Sequence, residues 1–246
     1  MSLCGRLAWR RCLWVEHAKP TLERRCHTMT ALMHERPEAM PEIRTDPEPV
    51  SSLSELDEVV WQAWKAIELP EGYRAEIIEG AIELSPTGRH SHSQTVNLFR
   101  DDLADHLRGG DFVARQDGNI IHEGRVWVPD LFVVPRDSER YVTADGLGIV
   151  ASAVRLIVEV VSPGKHNQDR DRIKKRREYA RAGIPVYVTI DDYDGGGAVT
   201  LFTQPRPDVA DWEDIHRVPY GTEVVIPEGP AKGFVIGEAI TGAKRD

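Results

Sequence analysis

Residues 156–190 read LIVEVVSPGKHNQDRDRIKKRREYARAGIPVYVTI, and this stretch decides the fold. Leu156 to Val161 is a continuous apolar run interrupted by one acid, the pattern of a strand covered on both faces. A charged segment from about residue 169 to 182 follows with helical character, stopped by Gly183 and Pro185. Val186 to Ile190 then reads as a second buried strand. Strand, helix and strand in that order predict a parallel pair joined by a crossover helix inside an α/β core.

The flanks extend that core. Upstream, Ser54 with Asp57 resembles a helix cap, and Leu56, Val59, Val60, Trp64 and Ile67 predict a helix over 54–67. Tyr73 to Leu84 alternates as a hairpin turning near Glu79-Gly80. A second helix is predicted over His92 to Leu107 through Val96, Leu98, Phe99, Leu103 and Leu107, with Gly109-Gly110 as its stop. Short apolar runs at 112–115, 119–122 and 126–134 read as a meander, and Val199 to Ile236 reads as all-β. The "DYDGGG" of residues 192–197 is a hairpin turn by composition, and Trp61, Trp64, Trp127 and Trp212 are packing residues.

Bulk charge narrows the function. The 246 residues carry a net charge of -9, which argues against a general nucleic-acid coat, because sequence-independent affinity comes from cations that neutralise phosphates. Residues 1–28 hold six cations against two anions, so residues 29–246 carry -13. No apolar run approaches the roughly 20 residues of a membrane span, and a soluble, cytoplasmic protein without membrane partners is expected. All 3 cysteines (Cys4, Cys12, Cys26) lie near the start and lack the close spacing of a zinc site, even with His27. Residues 1–52 are read as a dispensable extension followed by a Pro-rich acidic linker over 35–52, and residues 53–246 as the folded domain.

Three acids sit where a fold rarely places them. Glu159 interrupts an apolar strand, where an ionised carboxylate costs several kcal/mol unless it is paired, protonated or metal-bound. Asp130 stands at the lip of another apolar strand in Trp127-Val128-Pro129-Asp130-Leu131-Phe132, where the alternative role is a turn or cap. Glu76 and Glu79 face opposite sides of the hairpin by alternation, so at most one joins a site. Carboxylates on neighbouring strands form an oxygen-only set suited to magnesium or manganese. Residues 165–181 hold eight cations against three anions, and Asp171, Lys175 and Tyr179 follow at i, i+4 and i+8, so that one helix face can look back at Glu159. A solvated helix face is the alternative reading of that run. His90 and His92 follow the hairpin and could approach the site or a phosphate, or simply sit at a helix start.

The segments "YRAEIIEGAIELSP", "VWVPDLFVVP", "LIVEVVSP" and "DRIKKRREYARAGIPVYVTID" resemble, in order, the Uma-two family of restriction-endonuclease-like proteins within the PD-(D/E)XK nuclease superfamily, over about residues 55–240. The resemblance implies a restriction-endonuclease-like mixed sheet flanked by helices, with a β-rich C-terminal extension. It carries metal binding over to Asp130 and Glu159, and Glu76 matches the first acid in preference to Glu79. The sequence departs from the superfamily signature at Val161, where lysine is expected, and Lys175 matches the later "K-x-x-x-Y" position before Tyr179. The implied activity is magnesium- or manganese-dependent cleavage of DNA, with Glu76, Asp130, Glu159 and Lys175 catalytic and Lys174, Arg172, Tyr179 and His92 contacting substrate. DNA would be held weakly through the local basic helix, and a homodimer would serve two-strand cutting. The rival reading is an inactive nuclease-fold module that binds DNA or protein.

Overall fold

The computed structural model describes residues 53–86 and 88–244. The expectations for residues 1–52, including Cys4, Cys12, Cys26, His27 and the linker, lie outside the described residues. The chain begins with α1 (Glu55–Ala66), the hairpin strands β1 (Tyr73–Ile78) and β2 (Ala81–Pro86), and α2 (His90–His106). Then come β3 (Phe112–Arg115), β4 (Ile120–His122), β5 (Arg125–Trp127), β6 (Leu131–Pro135), β7 (Ile149–Val150) and β8 (Leu156–Val160). A continuous helical segment follows as α3 (Lys165–Asp169), a π-helical stretch (Arg170–Lys175) and α4 (Arg176–Arg181). The C-terminal part contains β9 (Val186–Asp191), β10 (Ala198–Arg206), β11 (Asp211–Pro219), the short pair β12 (Val224–Val225) and β13 (Val235–Ile236), and α5 (Glu238–Thr241).

Two mixed sheets organise these elements. The larger has the order β11-β10-β9-β8-β6-β3, and the smaller β2-β1-β5-β4-β7. β8 and β9 pair in parallel, with Val158 opposite Val188, so the decisive strand-helix-strand stretch is the parallel crossover that its sequence predicts. The β1–β2 hairpin turns through Glu79 and Gly80, both at positive φ (50° and 78°), as a two-residue turn matched to strand twist requires. The apolar run 126–134 is not one strand. β5 belongs to the small sheet and β6 to the large one, and the chain changes sheets across Val128-Pro129-Asp130, where proline cannot donate to a ladder.

Strand alternation gives the large sheet two covered faces. Leu131, Val133, Val158, Val188 and Leu201 meet Phe99 and Leu103 of α2 together with Phe234 and Ile236 on one face. Phe132, Val134, Ile157, Tyr187 and Phe202 meet Tyr179 and Ala180 of α4 and Ile78, Ile120 and Trp127 of the small sheet on the other. Asp130 and Glu159 alternate onto this second face.

Two helix faces depart from expectation. On α1, Leu56 and Val59 are 72% and 65% exposed, and the sheltered stripe is Asp57, Val60, Trp61 and Trp64. Polar anchors set the roll of the helix: Asp57 accepts from Arg125 Nη1 at 2.7 Å, and the Trp64 indole donates to the Ala75 carbonyl at 2.9 Å. On α2, which begins two residues earlier than expected, Leu98 is exposed, while Val96, Phe99 and Leu103 form the stripe at i, i+3 and i+7. Phe99→Ala should therefore destabilise the protein by about 3–5 kcal/mol, and Leu56→Ala by no more than about 0.5 kcal/mol, in urea unfolding. A Leu56→Ala loss as large as that of Phe99→Ala would overturn this assignment of faces.

Candidate active site

Sheet register brings two of the acids together. β6 and β8 pair antiparallel with Leu131 opposite Val158, and the same register continued by one residue sets Asp130 opposite Glu159. Both side chains alternate onto the helix-covered face, Asp130 with Phe132 and Glu159 with Ile157. The Val160 N–H donates to Asp130 Oδ2 at 2.9 Å, so a backbone bond also fixes this pair. Glu76 reaches the same centre from β1 in the small sheet, and its Oε1 accepts from the Val128 N–H at 2.7 Å. Glu79 lies in the hairpin turn and pairs with Arg177 instead.

The crossover helix closes the centre. Lys175 Nζ lies 2.9 Å from Glu76 Oε1 and 2.9 Å from Glu159 Oε1, and the Tyr179 hydroxyl donates to Glu159 Oε1 at 2.5 Å. Asp171 is held by a forked pair from Arg170 at 2.8 and 3.2 Å. In an α-helix, residues four apart drift by about 40° around the axis. The wider π turn between Asp171 and Lys175 rotates less per residue and offsets that drift, so Asp171, Lys175 and Tyr179 stay in line and all three are buried.

Around Asp130 the cations come from elsewhere. Arg74 Nη2 lies 3.3 Å from Oδ1 and His92 Nε2 lies 3.0 Å from Oδ2. Gly88 is required here, because a Cβ at that position would stand 2.5 Å from His92 Nδ1. Burial alone would raise the Asp130 carboxyl, but His92, Arg74 and Lys175 outweigh it and hold the group well below the usual carboxylate range. Glu159 goes the other way. Burial pushes it up to about 7, Lys175 opposes, and the neighbouring Asp130, Asp171 and Glu76 add to the rise. Lys175 is raised, since Glu159 and Glu76 together overcome the effect of its burial. Two buried carboxylates with oppositely displaced affinities for protons are an arrangement common at catalytic centres.

Glu76, Asp130, Glu159, Lys175, Tyr179 and His92 thus converge. Tyr179 is fully buried with its hydroxyl on Glu159, so its geometry is that of a positioning residue rather than a substrate contact. Arg172 binds Asp191 at 2.6 Å, away from the three acids, and Lys174 pairs with Glu83. The basic segment is no uncompensated cationic face: all eight of its cations lie at ion-pair distance from a carboxylate. The partners Glu76, Glu79, Glu83, Asp191 and Asp211 belong to other elements, so a linear charge count overstates the local excess. Arg74, which reaches Asp130, was passed over by sequence reasoning, and so was Glu83, which lies beside the centre and holds Lys174. Period-2 alternation sets Arg74 on the Glu76 face, and hairpin register sets Glu83 directly opposite Glu76.

Among the described residues no group of three or more His, Cys, Asp or Glu side chains is arranged to hold a metal ion. The donor chemistry fits a hard divalent cation nonetheless, since Asp130 and Glu159 offer carboxylate oxygens from adjacent strands. No helix among the described residues is long and apolar enough to cross a membrane.

Residues 61–236 match the model of the Uma2 family, described as "Putative restriction endonuclease". Among solved structures, the chain is similar to one described as a "putative nuclease belonging to DUF820" from Anabaena variabilis, with a TM-score of 0.55 and 14% identity. That likeness covers 74% of this chain and 96% of the other, and it shows a shared mixed α/β fold. No curated protein matches the chain.

The raised Glu159 affinity predicts a pH dependence of stability. Folded Glu159 binds its proton more tightly than the unfolded chain does, with a value near 7 against 4.5, so its contribution is full below the lower value and is lost as pH rises through the upper one. In chelator, the unfolding free energy of the wild type should fall by about 2 kcal/mol relative to Glu159→Gln between pH 5 and 7.5. Parallel pH profiles for the two proteins would contradict this.

Proposed function

The chain belongs to the Uma2 family, and from that premise we propose that it is a divalent-metal-dependent endonuclease that hydrolyses DNA phosphodiesters. The observation that carries this reading is the pairing of Asp130 with Glu159 across β6 and β8, beside a lysine buried against Glu159. Asp130 and Glu159 would hold magnesium or manganese, with Glu76 as the auxiliary acid. Such a cation, when bound, supplies Lewis-acid polarisation of a phosphoryl oxygen and acidifies water.

The protein's own groups have separable roles. His92, Arg74 and the Val160 amide keep Asp130 ionised and oriented. Tyr179 fixes the rotamer of Glu159, and Lys175 supplies the positive charge that the superfamily pattern places at the position of Val161. A homodimer would present two such centres to two strands, and a cytoplasmic location would give them access to DNA.

The rival reading, a non-catalytic module on the nuclease fold, is favoured by Val161 and by the neutralised basic helix. Calorimetry separates the two. An active centre requires divalent-cation binding that disappears in Asp130→Ala, whereas a scaffold gives no binding in either protein.

Purified protein should nick supercoiled plasmid with magnesium or manganese, and Asp130→Ala or Glu159→Ala should lower the rate at least about 100-fold, as expected when a group essential to the chemical step is removed. Cleavage by both variants at the wild-type rate, with contaminating nuclease excluded, would sink the assignment.

A further inference from the structure

The buried centre has a layered order of exposure. The side chains of Lys175, Glu76, Glu159 and Asp130 are 0–4% exposed, whereas those of His92 and Arg74 are 11% and 23% exposed. Arg74 and His92 are thus the most exposed of the side chains around Asp130.

Arg74 is only partly engaged. Its Nη2 touches Asp130 Oδ1 at 3.3 Å, a long contact for a charge-assisted bond, and among the described residues no other atom of the guanidinium finds a hydrogen-bond partner. Nε is buried and unsatisfied. Directly across the hairpin, Ser85 is the register partner of Arg74 and so lies on the same face. Its hydroxyl is also buried without a partner among the described residues, although the residue is only 4% exposed. A buried hydroxyl and a buried guanidinium N–H left unmade cost about 1–3 kcal/mol each, so two side by side need a reason. The first turn of α2, which carries His92, contains no acid and no side-chain cap, and Asp130 is the carboxylate at ion-pair distance from Arg74.

We propose that Arg74 and Ser85 form a phosphate clamp at the mouth of the centre, which takes a backbone phosphate of the DNA strand and sets it against Asp130. This rests on the endonuclease reading and specifies how its substrate is held. A guanidinium presents two parallel N–H donors to phosphate oxygens, a geometry that neither His92 nor a lysine reproduces. Arg74 exchanges its long contact with Asp130 for the phosphate, and a small rotation of the Ser85 hydroxyl adds a second donor. The position also explains how an acidic protein with a neutralised basic helix can hold a strand: one well-placed fork replaces a cationic surface.

The test is binding in chelator, where cleavage plays no part. Anisotropy of a short fluorescein-labelled DNA duplex should show about tenfold weaker affinity for Arg74→Gln, with the slope of log affinity against log salt reduced by about one. Arg74→Lys should keep the slope and lose part of the affinity, because the charge remains and the fork does not. Ser85→Ala should weaken binding several-fold while the melting temperature stays level or rises, since an unsatisfied hydroxyl has been removed. Wild-type affinity and salt slope in both folded Arg74→Gln and Ser85→Ala would overturn the clamp, as would a wild type that binds no duplex. Plasmid nicking abolished by Asp130→Ala alongside unaffected binding in Arg74→Gln would remove the clamp and leave the endonuclease reading intact. Nicking retained in Asp130→Ala would instead remove that reading.

Discussion

A single ammonium group holds this protein's interior in order. Lys175 arrives from the crossover helix, Glu76 from the small sheet and Glu159 from the large one, and their contact ties three elements at one point. None of the three is more than 2% exposed, so none can fall back on water. Replacing such a group by an apolar one of similar volume can be neutral, but removing one partner strands the others in a medium that solvates charge poorly. The polar centre is thus better understood as a constraint on which packing is allowed than as a source of stability. Both sheets and the helix must dock so that three charges meet, and the apolar residues around them have to accept that geometry.

Much of this was legible from residue types and spacing. The acid inside an apolar strand, the acid at the lip of the next, and the i, i+4, i+8 line of Asp171, Lys175 and Tyr179 each carry a local signal, because a buried charge needs a partner and a helix face has a fixed period. The hairpin turn and the parallel crossover are equally local. What was not legible depends on long-range pairing. The neutralisation of the basic segment comes from carboxylates far away in sequence, such as Glu79, which lies 98 positions from Arg177. The roll of α1 follows from Arg125 and from a carbonyl on β1, which override its own apolar periodicity. The break at Pro129 was visible as a residue but not as a change of sheet, since both halves of the run are apolar and either could continue one strand. The π stretch has no distinctive composition that separates it from an α-helix.

Charge in this molecule is consequently a property of pairs. A net of -9 and a local excess of cations describe the same chain, yet neither describes what a ligand would meet. Facing solvent near the centre are one partly engaged arginine and one histidine, with four carboxylates behind them and a lysine shared between two of those. The positive charge of Arg74 thus lies at the more exposed edge of a group of buried carboxylates.

The π-helical stretch between Arg170 and Lys175 makes chain length itself a parameter of the site. Side chains there can be exchanged within broad limits, because the outward-facing ones serve surface pairs. The number of residues cannot. Losing one would let the segment relax into ordinary α-helix and change the rotation and rise that separate Lys175 and Tyr179 from Asp171, and with them the approach of both to Glu159. Lineages related to this chain should therefore tolerate substitution across the segment far more readily than insertion or deletion. A gap falling at this point in a relative would mark a centre that has been rebuilt or abandoned.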